Sequence, residues 1–215
     1  MSTNLTKAAF VDLLRAAQQK IKEQFDYLNR LDSATGDGDH GTAAVASLDA
    51  AVRKGEEGLT ADKPLADILS DIGWSVMTKT SGTTSSLVGS LFLGMAEAAP
   101  SDELSPAEVG KMFEAGLANV RGMTDAKPGD KTLMDAMVPG IEAIGALMAA
   151  GGGADCGELF AAAADAAQKG AESTKELRAK FGRAKNLGER SVGHVDAGAT
   201  SMALIFRAFA EASGK

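Results

Sequence analysis

The chain has 215 residues, 45% of them hydrophobic, which suffices for a real core, and a single domain spanning residues 1–215 is expected. A formal charge of -7 and a pI near 4.9 argue against nucleic acid as a partner, because phosphate backbones are bound by basic surfaces. The single cysteine, Cys156, excludes an intrachain disulfide, and neither a secretory signal nor an apolar run of the ~18 residues that span a membrane is found, so a soluble cytoplasmic protein with no membrane partner is expected.

Alanine and glycine are abundant, aromatics make up only 5%, and no alternating apolar run bounded by turns occurs, so the elements are expected to be helices. The first is marked by Phe10, Leu13, Leu14, Ala17, Ile21, Phe25 and Leu28, a stripe running to about Arg30. The acidic loop Gly36-Asp-Gly-Asp-His-Gly-Thr42 follows. A second helix is predicted from about Thr42 to Arg53, ending in Lys54-Gly-Glu-Glu-Gly58, and a third starts at Pro64 with Leu65, Ile68, Leu69, Ile72 and Val76 on its apolar face. Trp74 reads as an ordinary core aromatic.

Residues 80–86, Thr-Ser-Gly-Thr-Thr-Ser-Ser, interrupt the pattern before Leu87, Leu91, Phe92 and Met95 open a fourth helix. Such small polar residues cap helices and equally bind phosphate through hydroxyls and amides. Ser105-Pro106-Ala107-Glu108 is a capping box that starts a fifth helix, running to about Arg121. A turn-rich loop from Met123 to Thr132 precedes a sixth, through Leu133, Met137, Ile141, Ile144 and Met148, which Pro139 is expected to kink. After Gly151 to Gly153, Asp155-x-x-Glu158 opens an alanine-rich seventh helix reaching roughly Glu176. Cys156 lies in its first turn, where a lowered thiol pKa is conceivable, but it reads as a bystander. Residues 182–201 are predicted to form a long irregular loop, and Met202, Ile205, Phe206 and Phe209 mark the last helix.

In the acidic loop, Asp37 and Asp39 project to the same side, ~7 Å apart at Cα if the loop is extended. Like charges so close repel unless a cation lies between them, and carboxylates are hard ligands for Mg²⁺, Ca²⁺ or Mn²⁺. Asp32 can fold back as a third ligand. The glycines formally match G-x-G-x-x-G, but no strand precedes them. An EF-hand reading fails too, with Gly41 at position five and Leu48 where a bidentate Glu belongs. What remains is Mg²⁺ held by carboxylates and holding phosphate oxygens, against a plain solvated turn with Asp caps.

Helices with mostly short connections favour an antiparallel up-and-down arrangement, in which alternate loops share an end. The acidic loop, the Thr-Ser cluster, Pro128 to Thr132 and Arg183 to Ser201 then gather at one end. A nucleotide with Mg²⁺ requires such a meeting of carboxylates, hydroxyls and an arginine.

Four separated motifs carry a further inference: Leu31-Asp32 with Gly36-Asp-Gly-Asp-His-Gly41, Pro128-Gly-Asp-Lys-Thr132, Gly182-Arg-Ala with Leu187-Gly-Glu-Arg-Ser-Val-Gly-His194, and Gly198-Ala-Thr-Ser201. In these the chain resembles the nucleotide-binding L-subunit family (DhaL) of dihydroxyacetone kinases, or the matching C-terminal domain of single-chain kinases, over nearly its whole length. The resemblance implies an all-α, eight-helix antiparallel barrel with the nucleotide site at one end. It implies that Asp32, Asp37 and Asp39 chelate Mg²⁺, as a pair of ions bridging the phosphates of ADP or ATP. His40, Gly41, Thr42 and Ala43 are implied to line the nucleotide, with Thr83, Thr84, Gly122 and Leu133. Arg183, Asp196, Ala197 and Gly198 complete that set, Arg183 as the charge partner of phosphate or of the transition state. His194 reads as structural.

The family usually has Asn in place of Ala43, Gly-Gly-x-Ser-Gly in place of Ser81 to Ser85, and Asp-Pro-Gly in place of Asp196-Ala-Gly198. By resemblance the activity is phosphoryl transfer to a small ketose held by a K-type partner subunit, with ATP or a phosphotransferase-system phosphocarrier as donor. A homodimer is the remaining partner expectation. A kinase subunit for a ketotetrose and a nucleotide-binding regulatory or adaptor protein are the alternatives.

Overall fold

The computed structural model describes residues 4–79, 82–151, 153 and 155–214. Thr80 and Ser81 of the Thr-Ser cluster and Gly152 of the glycine run lie outside the described residues. The α-helices are α1 (Lys7–Glu23), α2 (Phe25–Ser33), α3 (His40–Thr60), α4 (Leu65–Lys79), α5 (Thr83–Glu97), α6 (Pro106–Met123), α7 (Met134–Ala149), α8 (Cys156–Ser173) and α9 (Ala197–Ser213). Eight of them, α1 and α3 to α9, each pack on the next, and α9 returns to α1 to close the ring. The expected all-α barrel is thus the observed architecture. Phe10, Leu14, Ile21, Leu69, Phe113 and Phe206 are buried in its core, each stabilising it by roughly 1.5–3 kcal/mol.

Local signals explain several boundaries. Thr6 caps α1 by accepting the Ala9 amide at 3.1 Å. Ser105 and Glu108 form the reciprocal capping box of α6, with Pro106 at its first position. Asp155 caps α8 by accepting the Glu158 amide at 2.9 Å. The end of the barrel holding the loops after α3 and α5 is stapled shut. There the Lys7 ammonium lies 2.8 Å from both Asp62 and Asp102, and Asp102 also accepts the Leu65 amide at 2.8 Å.

Other boundaries differ from expectation. The first predicted helix is two, because Gln24 leaves helical geometry (φ -101°, ψ 11°), and α2 turns away to lie on α3 and α9. The second predicted helix does not stop at Lys54-Gly-Glu-Glu-Gly58, and α3 runs through to Thr60. Its glycines serve close packing instead: a Cβ at Gly55 would lie 2.9 Å from Val11 Cγ2, and one at Gly58 2.5 Å from Ile68 Cγ1.

Trp74 is 59% exposed, contrary to the core assignment, because it lies about 200° around α4 from the buried Ile72. α5 begins at Thr83, so the described part of the Thr-Ser cluster is the helix start itself. Residues Arg183–Ser191 form 3-10 turns and α9 already starts at Ala197, which shortens the predicted long loop. A short antiparallel pair, β1 (Leu5–Thr6) with β2 (Glu103–Leu104), was not expected, and two residues are too few to show alternation. Burial and Asp155 push the Cys156 thiol up to about 11, which removes the idea of an activated thiol. The His194 side chain is exposed, and what it contributes to the structure is its backbone carbonyl, which accepts from Lys131. No described helix is long and apolar enough to cross a membrane.

Candidate nucleotide and metal site

The loop between α2 and α3 is organised by Asp32. One of its carboxylate oxygens accepts the amides of Gly38 at 2.8 Å and Asp39 at 3.0 Å, which closes the turn around it. Gly38 takes φ +80°, a left-handed conformation that favours glycine, and a Cβ at Gly36 would collide with the Asp32 carboxylate. The result is that Asp32, Asp37 and Asp39 each offer one oxygen within 4.8 Å of the others. Asp37 is ion-paired with the Arg183 guanidinium, whose side chain is 70% exposed.

α3 starts beside this group. His40 is buried, and its Nε2 lies 2.9 Å from Ser201 Oγ on α9. The Ser201 hydroxyl donates to the Gly198 carbonyl at 2.9 Å, so its proton is committed and the imidazole Nε2–H is the donor to Ser201. Burial pushes the imidazole below its ordinary value, while Asp32 and Asp39 pull it back. Asn29 of α2 accepts the Gly41 amide at 2.7 Å, a contact that joins α2 to the start of α3.

Above these groups lies a cleft of about 590 Å³. The acidic loop, the starts of α3 and α5, Thr124 to Leu133, Phe181 to Ala184 and the start of α9 all contribute to it. Of the residues singled out from the sequence, Asp32, Asp37, Asp39, His40, Thr42, Ala43, Thr83, Thr84, Leu133, Arg183, Asp196, Ala197 and Gly198 line it. Gly41 and Gly122 do not: Gly41 is buried behind the loop, and a Cβ there would lie 2.5 Å from the Phe25 carbonyl. Asp196 caps α9 by accepting the Ala199 amide at 2.7 Å. Burial, with Asp135 nearby, pushes its carboxyl up to about 6 against the pull of that amide and of Lys131.

Sequence reading missed Thr35, Ala46, Thr124, Ala126, Lys131 and Phe181, which also line the cleft. Lys131 stands in the quoted Pro128-Gly-Asp-Lys-Thr132 motif, so a signal was present. The apolar and hydroxyl residues carry no chemistry that would have marked them.

Residues 34–211 match the family model described as the DAK2 domain. The chain belongs to that family. This DAK2 domain is 36% identical over 208 residues to a PEP-dependent dihydroxyacetone kinase 2, ADP-binding subunit DhaL, from Listeria innocua, covering 96% of this chain and 95% of that one. It is 34% identical over 201 residues to a D-erythrulose kinase from Mycolicibacterium smegmatis, which covers 91% of this chain but 34% of the relative. Among solved structures it is similar to the dihydroxyacetone kinase of C. freundii in complex with AMP-PNP and Mg²⁺, with a TM-score of 0.66 and 26% identity over 95% of this chain and 34% of that one. The resemblance to dihydroxyacetone kinase L subunits is thereby borne out.

Proposed function

We propose that this DAK2 domain is the nucleotide-binding subunit of a dihydroxyacetone-type kinase, acting as a single domain over residues 1–215 and completed by a K-type subunit that holds a small ketose. The observation that carries this reading is the group of three carboxylate oxygens within 4.8 Å of one another, at a cleft of about 590 Å³. Hard oxygen donors at that spacing fit Mg²⁺, and the volume falls within the roughly 300–1,000 Å³ common for ligand sites.

In this reading Asp32, Asp37 and Asp39 hold the metal, as a pair of ions, and so bring ADP or ATP to the carboxylate end of the cleft. Bound there, Mg²⁺ supplies charge neutralisation to the phosphates. Arg183 adds a mobile positive charge, exchanging Asp37 for phosphate oxygens. The starts of α3 and α5, with His40, Thr42, Ala43, Thr83 and Thr84, face the phosphates, while Gly41 lets α3 pack closely on α2 behind them. Thr124, Ala126, Leu133, Phe181, Ala197 and Gly198 surround the nucleoside. Gly122, two residues before Thr124 at the end of α6, lies outside that group. His40, held as the Nε2–H tautomer, fixes α3 against α9 and moves no proton.

The Listeria relative named as a PEP-dependent, ADP-binding subunit supports a resident ADP; a phosphotransferase-system phosphocarrier is the partner proposed to recharge it, with the cytoplasm as the proposed location. The D-erythrulose kinase supports a second reading for the acceptor, a ketotetrose in place of the triose. Titration calorimetry decides the nucleotide reading. ADP is expected to bind with Mg²⁺ and to lose affinity in EDTA; equal affinity without metal would count decisively against the site.

A further inference from the structure

Lys131 has the least expected surroundings of any cationic side chain here. It is 2% exposed, and among the described residues no other lysine or arginine is buried. It also holds φ +60°, a left-handed conformation rare for a residue with a side chain. Its ammonium reaches two backbone carbonyls, donating to Thr174 at 2.6 Å and to His194. Burial lowers its pKa, against the pull of Asp196, Asp135 and Glu176.

Those two carbonyls belong to the segment after α8 and to the approach to α9. The loop carrying Lys131 is pinned from within: Asp135 accepts the Gly129 and Thr132 amides at 2.7 and 2.8 Å, and Asp130 accepts the Lys127 amide at 3.0 Å. The segment after α8 is tied to the approach to α9 by Gly193, whose amide donates to the Lys175 carbonyl at 2.7 Å, and by Asp196, whose amide donates to Thr174 Oγ1 at 2.9 Å. Lys180 of the segment after α8 also reaches the loop, its amide and ammonium donating to the Asp130 carbonyl and carboxylate at 3.1 and 2.6 Å, but Lys131 joins the loop to both segments at once. What it joins are the residues that form one part of the cleft, where a Cβ at Gly198 would lie 3.4 Å from Leu133 Cβ.

We propose that Lys131 is a positioning residue for nucleotide binding: from beneath the cleft it locks the 127–133 loop to Thr174 and His194, and so sets the spacing of Leu133 from Ala197 and Gly198. It acts on the nucleoside end and leaves the phosphates to the carboxylate end. A lysine suits this task because one ammonium presents three donors, enough for two carbonyls on separate segments, where a neutral side chain of that length presents fewer. The proposal rests on the nucleotide reading above, and its test separates the two.

The experiment compares Mg·ADP with Mg·tripolyphosphate, which has phosphates and no nucleoside, by calorimetry on the full chain. Wild type is expected to bind both, and failure to bind Mg·ADP would sink the nucleotide reading itself. Lys131→Met is expected to weaken Mg·ADP by about tenfold or more and Mg·tripolyphosphate by less than about threefold, since small displacements of a positioning group are costly only for the part it positions. An equal loss for both ligands, no loss for ADP, or a wild type that binds ADP without binding tripolyphosphate would each overturn the role. Should Lys131→Met fail to fold by circular dichroism, Thr174→Val loosens the same junction by removing the acceptor of the Asp196 amide. An unchanged ADP to tripolyphosphate ratio in that variant overturns the proposal equally.

Discussion

Asp37 and Asp39 differ from Asp32 in what surrounds them. Asp32 is engaged by two loop amides, whereas Asp37 is half-exposed and paired with a guanidinium that can leave. Charge removal at either exposed position therefore subtracts from the metal shell without dismantling the turn. Asp37→Asn and Asp39→Asn are each expected to weaken Mg·ADP by roughly a hundredfold while leaving the melting temperature of the apo chain nearly unchanged. Calorimetry beside thermal melting checks this, and undiminished affinity in both variants would remove the carboxylates from the site. Asp196 makes a prediction of the opposite kind. Its folded-state pKa of about 6 lies above its ordinary value of 3.8, so the native state binds the proton more tightly than the unfolded chain does. Stability from this group is highest below pH ~4, falls as pH rises through the window to ~6, and is then lower by about 2–3 kcal/mol. Asn at this position keeps an acceptor for the Ala199 amide and carries no charge. Asp196→Asn should gain stability over wild type as pH rises from 4.5 to 7 in urea melts, and a pH-independent gap between the two proteins would refute the assignment.

At the scale of elements, glycine and proline positions show what the sequence can and cannot announce. Pro139 sits inside α7 without ending it, and it has no amide to offer the Asp135 carbonyl four residues earlier. Gly170 of α8 packs over that same carbonyl, and a Cβ there would overlap its oxygen. Gly145, by contrast, lies exposed on α7 with nothing within 4 Å of a built Cβ. Gly145→Ala is thus expected to stabilise by ~0.5–1 kcal/mol through helix propensity. Gly170→Ala should destabilise by ~2 kcal/mol or more, because the obstacle is backbone and cannot rotate away. Chemical denaturation of both variants tests the pair, and a stabilised Gly170→Ala would show that the α7–α8 contact yields easily. Nothing in the sequence distinguishes these two glycines, nor Gly55 and Gly58, which resemble a helix end and are packing notches in α3. Local signals were legible where a side chain acts on its own backbone, as Ser105, Glu108 and Asp155 do at the starts of α6 and α8. The acidic loop was legible for a related reason, since three carboxylates in so glycine-rich a stretch have few other uses. The bend at Gln24, the outward phase of Trp74 and the burial of the Lys131 ammonium were not legible, because all three are decided by neighbours distant in sequence.

For the whole molecule, the two ends of the barrel divide the labour. One end is stapled by Lys7, Asp102 and the Leu5–Thr6 pairing with Glu103–Leu104, while the other carries the cleft and, among the described residues, the one cluster of three acidic metal-ligand candidates. A kinase must also bring an acceptor hydroxyl in line with the transferred phosphoryl group, and the cleft residues read here as nucleotide-binding offer no second set of groups for that task. Negligible phosphorylation of dihydroxyacetone or erythrulose is therefore expected from this chain alone at any ATP concentration, and turnover should appear when a K-type subunit is added. Arg183 then has a defined part. Its side chain is exposed and its ion pair with Asp37 is of the surface kind, worth at most about 1 kcal/mol, so releasing it for phosphate costs little. If the guanidinium mainly meets charge that develops during transfer, Arg183→Ala in the reconstituted complex should lower kcat by more than tenfold, a change of roughly 1.4 kcal/mol or more in the barrier, while shifting nucleotide affinity by less than about threefold. Steady-state kinetics beside equilibrium binding reads both quantities. An equal loss in the two would make Arg183 a binding residue, and ketose turnover by the purified chain without a partner would overturn the division between subunits.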